Sequence, residues 1–60
     1  MRIIDAEPEL IEEILEEIEV VESRDNESFS VHIGHHPTLG RIALVRAKEG
    51  QGAIIEMEYE

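Results

Sequence analysis

The clearest pattern of apolar and polar positions is a helical one in residues 7–22, EPELIEEILEEIEVVE. At about 100° per residue, the apolar side chains of this segment fall in one arc of roughly 140°. They are Leu10, Ile11, Ile14, Leu15 and Ile18. Glutamates fill the opposite arc, until Val20 falls among them and breaks the pattern. The segment is therefore predicted to be an amphipathic helix that begins near residues 6–8 and ends at about residues 18–20.

The residues before this helix give two further expectations. Asp5 is placed to act as its N-cap, and Pro8 is tolerated in the first turn because the missing N–H needs no partner there. Residues 2–4, Arg-Ile-Ile, form a short apolar start. This start is expected to be an edge strand or a cover over one end of the core.

From Glu19 onward the apolar period changes from about 3.6 to two, which is typical of strands. Residues 19–33 are expected to form a hairpin that turns at Asp25 and Asn26, since both tolerate the positive φ of tight turns. The remaining segments are predicted as a loop at residues 34–40, a strand at 41–48, a turn at 49–52 and a last strand at 53–60. In the last strand, Ile55 is expected to face inward and Ile54 outward.

These elements predict one α+β domain over residues 1–60, in which a helix packs on a three- to four-stranded antiparallel meander. Its expected core combines the apolar arc of the helix with inward positions of the strands. The expected core residues are Leu10, Ile11, Ile14, Leu15, Ile18, Phe29, Val31, Ile33, Ile42, Leu44, Ile55, Met57 and Tyr59. The glutamates lie on the other side of the helix and are expected to face solvent.

The size and composition of the chain limit how it is stabilised. Its 60 residues include no cysteine, which excludes disulfides and thiolate metal sites. A core this small is marginal alone, so a homodimer that shares apolar surface stays open beside a monomer. No apolar run approaches a membrane span and the first residues lack the apolar core of a signal peptide, so a cytoplasmic protein is expected.

The charge is strongly negative and unevenly distributed. The formal net charge is −10, and residues 1–30 carry eleven acids against Arg2 and Arg24. Residues 31–60 are nearly neutral, with four acids against three basic residues. Such a molecule is repelled by nucleic acid and by anionic lipid, and it is attracted to basic protein surfaces.

The helix is unusual because no Lys or Arg interrupts its eight glutamates in residues 7–22. Like-charge pairs three or four residues apart cost about 0.2–0.5 kcal/mol each, so folding alone does not favour this pattern. Eight charges over about 24 Å of helix approach the spacing of phosphates along one DNA strand, about 3.4 Å. The face is therefore predicted to bind a basic partner through Glu9, Glu12, Glu13, Glu16, Glu17 and Glu19.

Two other interpretations of this face stay open. The glutamates are also consistent with a solvated surface that keeps the protein soluble. Adaptation of the whole surface to high salt would explain one Lys against thirteen Glu, although the nearly neutral second half of the chain fits that poorly.

The three histidines are the remaining candidates for chemistry. His32, His35 and His36 are either ligands of a zinc or nickel ion or polar residues that make ordinary hydrogen bonds or contact a partner. Adjacent histidines usually diverge and no second ligand cluster follows, so no metal or cofactor is expected. No serine, carboxylate or glycine motif indicates catalysis, and the protein is expected not to be an enzyme.

In size, acidity, lack of cysteine and the lysine-free helix of residues 7–22, the chain resembles small phage-encoded inhibitors that mimic nucleic acid, including anti-CRISPR proteins. The resemblance implies a protein that inserts an acidic surface into the DNA or RNA channel of a host complex, such as a CRISPR effector, in the host cytoplasm. The chain also resembles a designed α+β miniprotein. That alternative is a structural protein, dimeric through its sheet, with no nucleic-acid-related partner.

Overall fold

The computed structural model describes residues 2–57, which form one helix and five strands. In chain order these are β1 (Arg2–Ala6), α1 (Pro8–Glu17), β2 (Glu19–Asp25), β3 (Phe29–His36), β4 (Gly40–Ala47) and β5 (Gly52–Glu56). The strands form one sheet in the order β1-β5-β4-β3-β2, with every neighbouring pair antiparallel. The predicted α+β class is confirmed, but three or four strands is too few.

The fifth strand is β1, which pairs with β5 at one edge of the sheet. Its residues were expected to be an edge strand or a cover, and the structure shows the edge strand. Helix α1 then connects β1 to β2, which is the opposite edge. The helix therefore crosses one face of the sheet, where it packs on β4 and β5.

The ends of the helix agree only partly with the prediction. Ile18 is the C-cap, and its N–H donates to the carbonyl of Ile14 at 3.0 Å. At the other end the N-cap is Glu7, without a side-chain cap, and the prediction of Asp5 was wrong. Asp5 instead lies in β1 opposite Ala53 of β5. Because β1 pairs with β5 as far as Ala6, Asp5 belongs to the strand and is not the N-cap of the helix.

The main core lies between the helix and the sheet. Its buried members are Ala6, Ile11, Ile14, Ile18, Ile42, Leu44 and Ile54. The expected orientation of β5 was wrong, because Ile54 is 4% exposed and belongs to this core. Leu44 is the cross-strand partner of Ile54, and partners in a ladder point to the same face of the sheet. Ile55 consequently lies on the face away from the helix.

Three other expected core residues, Phe29, Val31 and Ile33, also lie on the face of the sheet away from the helix. We call this second face the open face. Ile33 and Ile55 are the cross-strand partners of Ala43, whose neighbour Ile42 points to the helix. The apolar residues of the open face are Ile3, Phe29, Val31, Ile33, Ala43, Val45, Ala47, Ala53 and Ile55. Expected core residue Leu10 is 42% exposed, and Tyr59 lies outside the described residues. The sheet therefore has two apolar faces, of which the helix covers one.

The turns differ from the prediction in their geometry. The β2–β3 hairpin is confirmed, yet no non-glycine residue between positions 2 and 57 has a positive φ. The turn is held by Asn26, whose side-chain oxygen accepts the N–H groups of Ser28 at 2.7 Å and Phe29 at 2.9 Å. The loop expected over residues 34–40 is a turn of three residues, 37–39, because Gly34 continues β3.

Candidate functional site

The acidic face is the stripe of helix α1 that points away from the sheet, and we define it by Glu9, Glu12, Glu13, Glu16 and Glu17. All of these side chains are exposed. Their spacing of i, i+3, i+4, i+7 and i+8 places them in an arc of about 140°. The buried residues Ile11 and Ile14 occupy the opposite side of the same helix. Burial of that side therefore fixes the carboxylates on a rigid, outward-facing surface.

Glu19, the sixth predicted site residue, is not part of this face. The helix ends at Glu17, and the extended C-cap Ile18 directs the chain into β2, which begins at Glu19. Glu19 is opposite His35 in the β2–β3 ladder, on the side of the sheet away from the helix. The structure thus brings five of the six predicted carboxylates together and separates the sixth.

Among the described residues, one Arg or Lys side chain reaches the acidic face directly. The guanidinium of Arg46 donates to a carboxylate oxygen of Glu12 at 3.4 Å, and the two side chains are 40% and 66% exposed. A long, exposed pair of this kind contributes at most about 1 kcal/mol, so Glu12 is only weakly held. This contact could have been predicted from the sequence. Alternate residues of a strand point to the same face, so Arg46 lies on the same side of β4 as Ile42 and Leu44, which face the helix.

Most other cations of the described chain are paired elsewhere. These pairs are Arg2 with Glu56 at 2.9 Å, Arg24 with Glu22 at 2.9 Å and Lys48 with Asp25 at 3.0 Å. The Glu56 contact raises the pKa of Arg2, by hydrogen bonding first and charge second. Within residues 2–57, Glu9, Glu13 and Glu16 have no ion pair and no side-chain hydrogen bond. Their charges are therefore available to a partner.

His36 joins the end of the helix to the β3–β4 turn. Its ring Nδ1 accepts the backbone N–H groups of Thr38 and Leu39, both at 3.1 Å. The other ring nitrogen, Nε2, therefore carries the hydrogen and donates to Glu17 at 2.6 Å. The imidazole is 9% exposed, so its role is to fix local structure.

The three histidines do not converge on one point. His32 contacts the hydroxyl of Ser23 through Nδ1 at 3.0 Å, on the same face of the sheet as His36. His35 lies between them in sequence and points to the opposite face. Within the part of the chain that the structure describes, no group of three or more His, Cys, Asp or Glu side chains is arranged to hold a metal ion.

Asp25 forms a small polar cluster at the end of the β2–β3 hairpin. The hydroxyl of Ser30 and the ammonium of Lys48 both donate to its carboxylate. These contacts hold the pKa of Asp25 below its usual value, with the Ser30 hydrogen bond as the larger cause. Lys48 is thereby engaged away from the acidic face.

We predict that Asp25→Asn reduces stability at neutral pH and has a smaller effect in acid. A carboxylate with a lowered folded-state pKa stabilises the fold above its unfolded pKa, near 4, and loses that contribution as pH falls through the folded value. Denaturant midpoints at pH 7 and pH 3 measure the difference. Glu27→Gln is the matched control, because Glu27 is exposed and has no hydrogen bond among residues 2–57. A constant difference between Asp25→Asn and wild type at both pH values would contradict the prediction.

Three concavities on the surface of the described chain have volumes of about 220, 360 and 220 Å³. The one beside the acidic face, of about 220 Å³, is lined in part by Glu12, Ser30, Arg46 and Lys48. Helix α1 is too short to cross a membrane, and no other helix occurs in residues 2–57.

Comparison with protein-family models, curated protein sequences and solved structures gives no match to this chain. Its function must therefore be inferred from its own surface. Two features of that surface are distinctive: an acidic face on the helix and an apolar open face on the sheet.

Proposed function

We propose that this protein is a non-enzymatic inhibitor that binds the basic DNA- or RNA-binding site of a partner protein and excludes nucleic acid from it. One observation carries the proposal: five exposed glutamates form a single stripe, and Glu9, Glu13 and Glu16 have no counter-charge within residues 2–57. Helix α1 has ten residues and is about 15 Å long, which gives roughly one carboxylate per 3 Å. Phosphates along one strand of DNA are spaced similarly, at about 3.4 Å.

The mechanism is competition for the same cations. Arg and Lys side chains that hold phosphates would form charge-assisted hydrogen bonds with the carboxylates of the acidic face. Binding would release counterions from the acidic face, as it does from nucleic acid, so affinity would fall steeply with salt. The one-sided charge would also steer association and make it fast at low ionic strength.

The class of partner follows from this chemistry. A groove lined with Arg and Lys is required, and a protein that binds DNA or RNA in a channel provides one. The resemblance of residues 7–22 to phage-encoded inhibitors favours a CRISPR effector complex in the host cytoplasm among such proteins. The protein itself would bind neither nucleic acid nor membrane, because both repel its charge.

A second candidate function is supported by the open face. The chain would then be a structural or designed α+β miniprotein that dimerises through its sheet and has no nucleic-acid-related partner. In that case the glutamates would serve solubility alone. The two candidates differ in whether the acidic face has a specific ligand.

Affinity capture distinguishes them. The protein is immobilised, exposed to a nuclease-treated cell lysate and washed with rising salt in the presence or absence of added DNA or RNA. We expect it to retain basic nucleic-acid-binding proteins, to lose them near about 0.5 M salt, and to lose them at lower salt when DNA or RNA competes. A retained set that is not enriched in such proteins, or that neither DNA nor RNA displaces, would exclude the inhibitor proposal.

A further inference from the structure

We propose that the open face is the interface of a homodimer in which two copies pack sheet against sheet, about a two-fold axis that runs along β4. This interface is separate from the acidic face and does not depend on its function. The open face is apolar in successive cross-strand rows. One row is Ile3, Ile55, Ala43 and Ile33, the next contains Ala53, Val45 and Val31, and the third contains Ala47 and Phe29.

Two residues of the open face are strongly exposed, which is costly for a monomer, whereas Ala43 is buried and the other six are half-buried. Ile3 is 64% exposed and Phe29 is 41% exposed, although both belong to a continuous apolar surface. The core on the helix side contains only three large side chains that are fully buried, Ile11, Ile42 and Leu44, among residues 2–57. A 60-residue chain with one small core is marginal, and a second core at the open face would add the missing burial.

The sequence of the central strands independently indicates cover on both sides. Strand β4 contains the uninterrupted apolar run Ile42-Ala43-Leu44-Val45, and β5 contains Ala53-Ile54-Ile55. Antiparallel strands with one solvated face alternate apolar and polar residues, whereas strands covered on both faces are continuously apolar. Helix α1 covers one side, so these runs predict a cover for the other.

The area of the open face is close to the lower limit for a specific interface. Five strands at about 4.8 Å and roughly six residues of about 3.3 Å give a projected face near 480 Å². Two such faces together approach the ~1,000 Å² that a specific interface requires. Most of both open faces must therefore be buried in the dimer, which favours face-to-face packing over a contact that covers only part of each face.

Charge indicates a second copy of this chain as the occupant. The charged residues that border the open face are Asp5, Glu19, Glu22, Arg24 and Arg41, which sum to −1, whereas the whole chain carries −10. The open faces themselves therefore add little to the repulsion between two copies, and the acidic faces lie on the far side of each protomer, where salt screens them. A basic protein would be drawn to the helix instead, and an anionic membrane would be repelled.

The strand order makes the open face self-complementary. In the order β1-β5-β4-β3-β2 the middle strand is β4, so an axis along it places β1 of one protomer over β2 of its partner. The open-face side chains of β4 are small or medium, Ala43, Val45 and Ala47, which permits two sheets to approach to about 10 Å. Asp5 and Arg24 lie at the two ends of one cross-strand row. The axis brings Asp5 opposite Arg24 of the partner subunit.

Edge-to-edge association through β2 is a poorer solution for this sheet. The β2 edge carries Glu19, Glu22, Arg24 and Asp25, and its register shifts at a bulge between Val20 and Glu22. Charges and bulges are features that prevent edge strands from pairing with another chain. The resulting dimer is instead a four-layer α/β/β/α sandwich, with the two acidic faces on opposite outer surfaces and both accessible.

Sedimentation equilibrium of the wild-type chain and two Lys variants tests the interface. We expect the wild type to sediment at about twice its 6.8 kDa mass in the micromolar range, and Val45→Lys to sediment at 6.8 kDa with an unchanged circular dichroism spectrum. The control Leu10→Lys makes the same charge change at an exposed apolar residue on the helix, and it should stay dimeric. A wild type that is monomeric at high micromolar concentration, or a dimeric Val45→Lys, would overturn the proposal.

A charge swap tests the axis and does not depend on how Val45→Lys folds. Asp5→Arg and Arg24→Asp should each raise the dissociation constant of the dimer by about tenfold. Two-fold symmetry makes the contact between Asp5 and Arg24 of the partner subunit occur twice, so each substitution removes two ion pairs. The double variant Asp5→Arg/Arg24→Asp restores opposite charges and should recover most of the wild-type affinity. A double variant that dimerises no more tightly than the single variants would overturn the proposed arrangement.

Discussion

Replacing Glu13 and Glu16 together by Lys should abolish binding to a basic nucleic-acid-binding partner. Both residues lie in the middle of the acidic face, and neither has a counter-charge within residues 2–57. A charge-assisted hydrogen bond contributes about 1.5–3 kcal/mol, so losing two of them weakens binding by more than about 100-fold before repulsion is added. Titration of the captured partner with wild type and variant measures this change.

The same double reversal should leave the fold intact and raise its stability slightly. The helix has like-charge pairs at i+3 and i+4, and each pair that becomes attractive gains a few tenths of a kcal/mol, roughly 0.2–0.5. We therefore expect an equal or higher melting temperature. Loss of binding by a variant that is as stable as the wild type would be specific to the surface.

The control for net charge is Glu27→Lys combined with Glu49→Lys. Both residues are exposed and neither lies on the acidic face, while the change in net charge is the same. We expect this variant to bind with only a slower association rate, because it reduces long-range steering. An equal loss of affinity in both double variants would mean that total charge, and no particular surface, determines binding. Unchanged binding by the helix variant would place the binding site elsewhere.

The helix, and which of its sides is buried, were predictable because the pattern that determines them lies within one short segment of the sequence. Three buried residues, Ile11, Ile14 and Ile18, recur at helical spacing, and the glutamates fill the opposite arc. This pattern determines which side faces the sheet without knowledge of any other element. The solvent-facing position of the five helical glutamates followed from it, and the structure agrees.

The orientation of the strands was not predictable in the same way. In β5 both Ile54 and Ile55 are apolar, so alternation does not indicate which one faces the helix. The choice depends on register with β4 and with β1, which comes from the opposite end of the chain. A one-residue error exchanges the faces of a whole strand, which is how Ile55 was assigned to the wrong side.

The details of the site also depended on contacts distant in sequence. Glu19 was predicted to lie on the acidic face because it continues the glutamate run, but the helix ends at Glu17 and the C-cap Ile18 is already extended. His36 was expected in a loop, whereas its hydrogen bonds to Glu17 and to the turn at residues 37–39 fix it against the helix end. The positions of both residues depend on the packing of β3 against the end of the helix.

Gly34→Ala should be among the most destabilising single substitutions in the chain. Gly34 lies in β3 beneath the segment that leaves the helix, and an added Cβ would be 3.0 Å from the Cα of Val20 and nearer still to the carbonyl oxygen of Glu19. These are backbone atoms, so relief requires a shift of the helix end or of β2. We expect a cost of about 2–4 kcal/mol, a large fraction of the ~3–9 kcal/mol total for a domain of this size. Chemical denaturation measures it directly.

Gly50→Ala is the matched comparison, because it makes the same chemical change without a clash. Gly50 has φ 111° and no atom within 4 Å of an added Cβ, so alanine there pays only backbone strain of about 1–2 kcal/mol. The Gly34 variant should therefore unfold at clearly lower denaturant than the Gly50 variant. Equal denaturant midpoints for the two variants would contradict the prediction. They would mean that the backbone between the helix and β2 shifts at little cost, so that the close approach at Gly34 does not fix the end of the acidic helix.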